Sequence, residues 1–217
     1  MKQKAPAYDL RRCSLAEVRA LFLLFHGYHS VGNSATYAFG VFEDTRFVAA
    51  FVWQPPPPGA ARAVCPEAPS SVLALSRMVA VPRETRRLKH ISKPLRRQMR
   101  HEIDRSRWPI LVTFSDEGQC HTGHVYRCSG WTPTVRSVRP VFQNQAGARA
   151  SSYSNGTHGC RDLVRAGSTT VQRWEHRVCE PGAAAAWLEA HGWVRVACAR
   201  RWRSGNQAFT WQKVGAS

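Results

Sequence analysis

Val72-Leu-Ala-Leu-Ser-Arg-Met-Val-Ala-Val81 decides the fold. The run holds a single charge, Arg77, with no proline or glycine, so it reads as a strand buried in the middle of a sheet. Toward the N-terminus, Tyr37-Ala-Phe-Gly-Val-Phe42 and Phe47-Val-Ala-Ala-Phe-Val-Trp53 bracket the polar Glu43-Asp-Thr-Arg46, which makes a β-hairpin. Pro55 to Pro58 and Gly59 end its second strand, because proline cannot donate to a ladder, and 60–70 reads as a surface loop. Earlier still, Ser14-Leu-Ala-Glu17 is a capping box opening a helix of about three turns, with Leu15, Val18, Leu21, Phe22 and Phe25 at helical spacing.

Toward the C-terminus, 82–107 is strongly basic and carries Leu88, Ile91, Leu95, Met99 and Ile103 at spacings expected of an amphipathic helix. Pro94 inside it implies a kink or a later start. Trp108 to Phe114 is a short strand, His124 to Gly130 a short helix closed by its glycine, and Trp131 to Val135 a further strand. Thr169 to Val178 and Val194 to Trp202 read as strands, Pro181 to His191 as a helix and Ser151 to Gly159 as a loop. The order helix, hairpin, central strand, helix, strand, helix, strand predicts an α/β fold, a mixed central sheet flanked by helices. A single domain over 1–217 is expected, with 1–140 as its core and 141–217 as a C-terminal extension of unassigned role.

Charge narrows the partners. Lys and Arg number 31 against 14 Asp and Glu, a net charge of +17, which favours a polyanion and above all double-stranded DNA. The longest apolar run, Ala20 to Phe25, falls far short of the ~20 residues a membrane span needs, and no signal peptide opens the chain, so no membrane partner and a cytoplasmic location are expected. Seven scattered cysteines without a CxxC read as reduced thiols.

His26-Gly-Tyr-His-Ser30, Phe39-Gly-Val-Phe42, Leu75 to Val81, and above all Phe114-Ser-Asp-Glu-Gly-Gln-Cys-His-Thr-Gly-His-Val-Tyr-Arg-Cys-Ser-Gly-Trp131 carry a family resemblance. In the order and spacing of these blocks, over about residues 20 to 135, the chain resembles the Mom-type DNA-modification proteins of bacteriophages, on a GNAT-like acyltransferase fold. The resemblance implies a transferase converting adenine in DNA to an N6-modified, methylcarbamoyl-type adenine, which shields phage DNA from host restriction inside the host cytoplasm. By motif it implies active-site roles for Tyr28, His29, Arg77, Ser115, Asp116 and Tyr126. Ordinary GNAT enzymes cradle a cofactor pyrophosphate with a glycine-rich loop, but Arg83-Glu-Thr-Arg-Arg-Leu-Lys89 contains no glycine. Arg83, Arg86 and Arg87 are the candidates to hold that pyrophosphate instead, with Ser129 as a further cofactor candidate. The donor stays open between acetyl-CoA and another acyl donor.

The residue chemistry stands beside the resemblance. An arginine within an apolar strand needs a carboxylate or a phosphate, and Asp116, at the end of a neighbouring strand, is the candidate partner of Arg77. Asp116 can serve as base or orienting group for the adenine amine, or cap the following helix, or do both. For Tyr126 the GNAT resemblance implies protonation of a leaving group, whereas its residue type fits core packing equally well. Lys89, Lys93, Arg96, Arg97 and Arg100 form the densest basic run and are assigned to DNA phosphates. His121 and His124 near Asp116 and Cys120 leave a metal, iron or zinc, unassigned. An extruded adenine needs an aromatic partner, for which Trp53, Trp131 and Tyr153 are the candidates. Two rival readings remain: a GNAT N-acetyltransferase acting on protein or small-molecule amines, and a non-catalytic DNA-binding protein. The oligomeric state, a dimer included, is open.

Overall fold

A computed structural model describes residues 8–26, 31–81, 91–143, 149–150, 164–201 and 207–215. The expected helix α1 spans Leu15–Phe25, and its capping box is complete: Glu17 N–H donates to Ser14 Oγ at 3.2 Å and Ser14 N–H to Glu17 Oε2 at 2.5 Å. The hairpin is β2 (Tyr37–Glu43) and β3 (Arg46–Gln54), turning at Asp44, whose φ of 56° is left-handed. The central strand is β4 (Val72–Ala80). An edge strand, β1 (Tyr8–Cys13), precedes α1 and pairs antiparallel with β2. Its signal in the sequence is faint, because Leu10 is its one buried residue.

The stretch 60–70, expected as a surface loop, instead holds most of helix α2 (Pro58–Val64) and a 3-10 turn at Pro69–Ser71. Proline at the first helical position costs no hydrogen bond, and Ala61, Val64, Cys65 and Ala68 are buried beneath. Of the expected basic helix, 82–90 lie outside the described residues; α3 covers Ser92–Arg97, so Pro94 sits harmlessly in its first turn, and a π-helical turn at Gln98–Glu102 closes it. Then follow β5 (Ile110–Asp116), α4 (His124–Ser129), β6 (Thr132–Gln143), the two-residue β7 (Arg149–Ala150), β8 (Val164–Arg177), α5 (Ala184–Ala190), β9 (Trp193–Arg201) and β10 (Gln207–Lys213). Strand β6 runs well past the expected end at Val135.

Eight strands form one mixed sheet in the order β1-β2-β3-β4-β5-β8-β6-β7, while β9 and β10 make a separate ribbon. Among the described strands of this sheet, β4 with β5 is the sole parallel pair. The C-terminal third is therefore built into the sheet, since β8 lies between β5 and β6. Its Glu175 is buried and bound by Arg173 Nε at 2.8 Å, Arg177 Nε at 2.6 Å and Thr134 Oγ1 at 3.0 Å. Those partners offset the cost of burying a carboxylate.

Side chains alternate across each strand and divide the core between the two faces. Leu73, Leu75 and Leu111 pack with Leu95 and Met99 beside α3 and with Tyr126 of α4. On the opposite face the core is split: Val52 and Val79 pack with Val18 and Phe22 of α1, whereas Ala74 and Val112 pack with Val64 of α2 and Leu188 of α5. No helix among the described residues is long and apolar enough to cross a membrane.

At the far side of the sheet Arg105 donates through Nη1 to His176 Nδ1 at 3.1 Å and through Nη2 to Pro109 O at 2.6 Å. Burial first, and then the Arg105 charge, push His176 down to about 4. The unfolded chain, with an ordinary histidine, takes up this proton more readily. Stability from this group is therefore full above the unfolded value of 6.5 and declines as pH falls from 6.5 toward about 4. In urea unfolding, His176→Asn should lose less stability than the parent between pH 7 and pH 4.5, and equal losses would contradict the assignment.

Candidate functional site

The site grows from an interruption in the sheet. Strands β4 and β5 pair only over Val72 to Ala74 and Ile110 to Val112, although β4 continues to Ala80 and β5 to Asp116. Between Val52 and Trp53 the β3–β4 register slips, leaving Ser76 as the extra residue of a bulge. Side chains take up part of the pairing: Ser76 Oγ donates across the bulge to Val52 O of β3 at 3.1 Å, and Thr113 Oγ1 of β5 donates to Leu75 O of β4 at 3.1 Å. Because the bulge shifts the alternation, Met78 packs on the α3 side with Leu75, and Arg77 projects with Val79 to the other.

Where the strands part lies a cavity of about 880 Å³, within the range of small-ligand sites. Its walls come from both faces of the sheet: Leu75, Val125 and Tyr126 on the α3–α4 side, and Pro56, Ala60 and Phe114 on the α2 side. Arg77 and Asp116 both line it, so the two expected partners are brought to one site. Arg77 Nη1 also donates to Ser76 O at 2.8 Å.

Asp116 is both site residue and cap. It heads the 3-10 turn Glu117–Gln119, and its Oδ1 accepts from Gly118 N–H at 3.0 Å and from Thr169 Oγ1 at 2.5 Å. Thr169, on β8, also accepts from Gly118 N–H at 3.0 Å, which closes a small ring of hydrogen bonds fixing the carboxylate. A side chain on Gly118 would come within 2.5 Å of Thr169 Oγ1 and open that ring.

Tyr126 is buried against the cavity, its ring 5.9 Å from both Trp131 and Trp174. Burial pushes its hydroxyl up, opposed by a hydrogen bond with Thr113, so it stays protonated at neutral pH and can only give a proton away. Gly123 allows α4 to sit here: its φ is +71°, and a Cβ would stand 2.1 Å from Trp174 Cζ2.

Ser115 and Ser129 lie elsewhere. Ser115 is buried, accepts from Trp174 Nε1 at 2.9 Å and opens on a smaller cavity of about 250 Å³. Ser129 is buried and donates to Val125 O at 2.7 Å and Ser92 O at 3.3 Å, tying α4 to α3. On the basic helix, Arg96 reaches Cys128 O and Arg97 pairs with Glu102 at 3.2 Å, while Lys93 and Arg100 are exposed. Tyr28, His29, Arg83, Arg86, Arg87, Lys89 and Tyr153 lie outside the described residues. The proposed stacking partners Trp53 and Trp131 are core residues, 0% and 3% exposed, and no base can reach their faces. No group of three or more His, Cys, Asp or Glu placed to hold a metal occurs among the described residues. Sequence reading passes over Thr113, Phe114, Arg139 and Thr169, which complete the cavity wall.

The chain is thus an α/β protein whose candidate site occupies the parting of a mixed sheet. Its residues 7–203 match the model of the Mom protein family, and it belongs to that family. The match extends well beyond the blocks that carry the resemblance in the sequence. A comparison with curated protein sequences finds no match. Among solved structures the chain is similar to a GNAT-family acetyltransferase from Bacillus cereus ATCC 10987, at 10% identity and a TM-score of 0.46, over 80% of this chain and 99% of that one. Mutant forms of the spermidine/spermine N-acetyltransferase of Vibrio cholerae match at 9% identity and a TM-score of 0.49, over 85% and 99%. The ribosomal-protein-S18-alanine N-acetyltransferase of Escherichia coli matches at 9% and 0.44, over 80% and 96%.

Thr169→Val keeps the shape of the side chain and removes its hydrogen bonds to Asp116 and Gly118. Loss of a hydrogen bond to a charged group should lower the unfolding free energy by about 1.5 to 3 kcal/mol, with Thr169→Ser keeping most of it, as measured by urea denaturation. A valine variant as stable as the parent would show that the ring does not hold Asp116.

Proposed function

We propose that this protein is a transferase that modifies the N6 amine of adenine in duplex DNA, in the methylcarbamoyl manner that the Mom resemblance implies, and so shields the DNA from restriction. The observation that carries the reading is the cavity between β4 and β5, with walls from both faces of the sheet. A transfer between two substrates needs such a meeting place, with donor and acceptor approaching from opposite sides. Membership of the Mom family and the charge of +17 support DNA as the acceptor.

Asp116, held by Thr169 and Gly118, accepts a hydrogen bond from the adenine amine and takes its proton as the new nitrogen–carbon bond forms. Arg77 faces the same space and offsets negative charge that develops on the transferred group. Tyr126, protonated at neutral pH, returns a proton to the departing donor fragment from the α4 side. Exposed Lys93 and Arg100, with Arg136 and Arg139 of β6, give the duplex phosphates cationic partners. Of the residues assigned to a cofactor, Ser129 bonds to Val125 and Ser92, and Arg83, Arg86 and Arg87 lie outside the described residues. No step is assigned to a cofactor.

The test is nucleoside mass spectrometry on plasmid DNA from cells expressing the parent chain or Asp116→Ala at equal abundance. A heavier deoxyadenosine should appear with the parent and fall at least a hundredfold in the variant, about the effect of removing a general base. Unmodified DNA from well-expressed parent protein would overturn the reading.

A further inference from the structure

We propose that Phe114 is the platform on which the extruded base stacks, and that the Arg139 guanidinium lies over its ring until the base replaces it. The proposal rests on the DNA-modifying reading above. An enzyme acting on a base inside a duplex must bring it out of the stack, and needs a flat apolar surface for its face and polar groups for its edge. The indoles expected to provide the surface, Trp53 and Trp131, are 0% and 3% exposed and unreachable, and Trp174 is buried too, at 2%. Among the described phenylalanine, tyrosine and tryptophan residues, the cavity is lined by Phe114 and Tyr126. Tyr126 is 8% exposed and held between Trp131 and Trp174, which leaves Phe114, half-buried in the cavity wall.

Phe114 also stands in the right relation to the chemistry. It is two residues before Asp116, so both side chains leave the same face of β5, about 7 Å apart along the strand. A base stacked on the ring therefore directs its edge at a fixed carboxylate. Asp116 is an acceptor, so the edge it recognises carries an exocyclic amine, as in adenine or cytosine and not thymine. Pro56 and Pro57 stand on the same cavity wall and are apolar without donating hydrogen bonds.

Arg139 is the second observation. Its guanidinium lies 4.8 Å from the centre of the Phe114 ring, and the residue is an exposed position on β6. A cation over an exposed ring is held weakly, whereas a nucleobase stacks on an aromatic side chain more strongly. The base thus displaces the guanidinium, which remains close enough to meet the phosphate of the same nucleotide. The ligand class assigned to this subsite is an extruded, amino-bearing nucleobase.

Phe114→Tyr keeps the aromatic face, while Phe114→Leu and Phe114→Met keep most of the volume without it. Modified deoxyadenosine is measured in plasmid DNA from cells expressing each chain at equal abundance, with the melting temperature of each purified protein as a check on folding. The Tyr variant should modify DNA at close to the parent level, and each non-aromatic variant that melts with the parent should fall about tenfold or more. Parent-level modification by a folded Leu or Met variant overturns the stacking role while leaving the DNA-modifying reading intact. Absence of modification by the parent itself sinks that reading and the stacking proposal with it.

Discussion

Everything at the candidate site depends on a hydrogen-bond ladder that stops early. Strands β4 and β5 share a ladder for three residues each and then part, while both keep neighbours on their outer sides. Backbone groups released by the parting must find partners, because a buried orphan costs as much as a lost hydrogen bond. Thr113 supplies one by donating to Leu75 O, and Ser76 bridges the bulge by donating to Val52 O. The opening is thus a stable part of the fold, and the apolar core divides around it.

Charge is placed with the same care. Asp116 is fixed by a threonine from β8, and the buried Glu175 further along that strand is enclosed by two arginines and a threonine. Strand β8 therefore does two jobs. It completes the sheet between β5 and β6, and it orients the carboxylate at the cavity. Tyr126 faces that carboxylate's cavity from the helical side, protonated where Asp116 is suited to accept.

Local signals in the sequence were enough for α1, the hairpin, the central strand and the Gly130 helix end, because capping, alternation and glycine act within a few residues. Arg77, Asp116 and Tyr126 were legible as well, each marked by residue type: a charge in an apolar run, a carboxylate ending a strand, a tyrosine beside it. Thr169 was not, since 53 positions separate it from Asp116 and only the β5–β8 pairing joins them. Trp53 is expected as a stacking partner and Phe114 is not, for a related reason. Both are aromatics near the end of an apolar strand, and burial is decided by what packs above them: Gln98 and Trp131 cover Trp53, whereas the Arg139 guanidinium lies over the ring of the half-buried Phe114. Helix α2 escaped because a proline-led, alanine-rich segment of seven residues carries no full helical period.

The central claim is that adenine from duplex DNA enters the cavity between β4 and β5. Photo-cross-linking tests it most directly: duplex DNA in which a fraction of the adenines is replaced by 8-azidoadenine is irradiated with the purified protein, and the attached peptides are identified by mass spectrometry. Adducts on β5 and β6 around Phe114, Asp116 and Arg139 are the expected result, and adducts confined to the exposed basic face of α3 would contradict it.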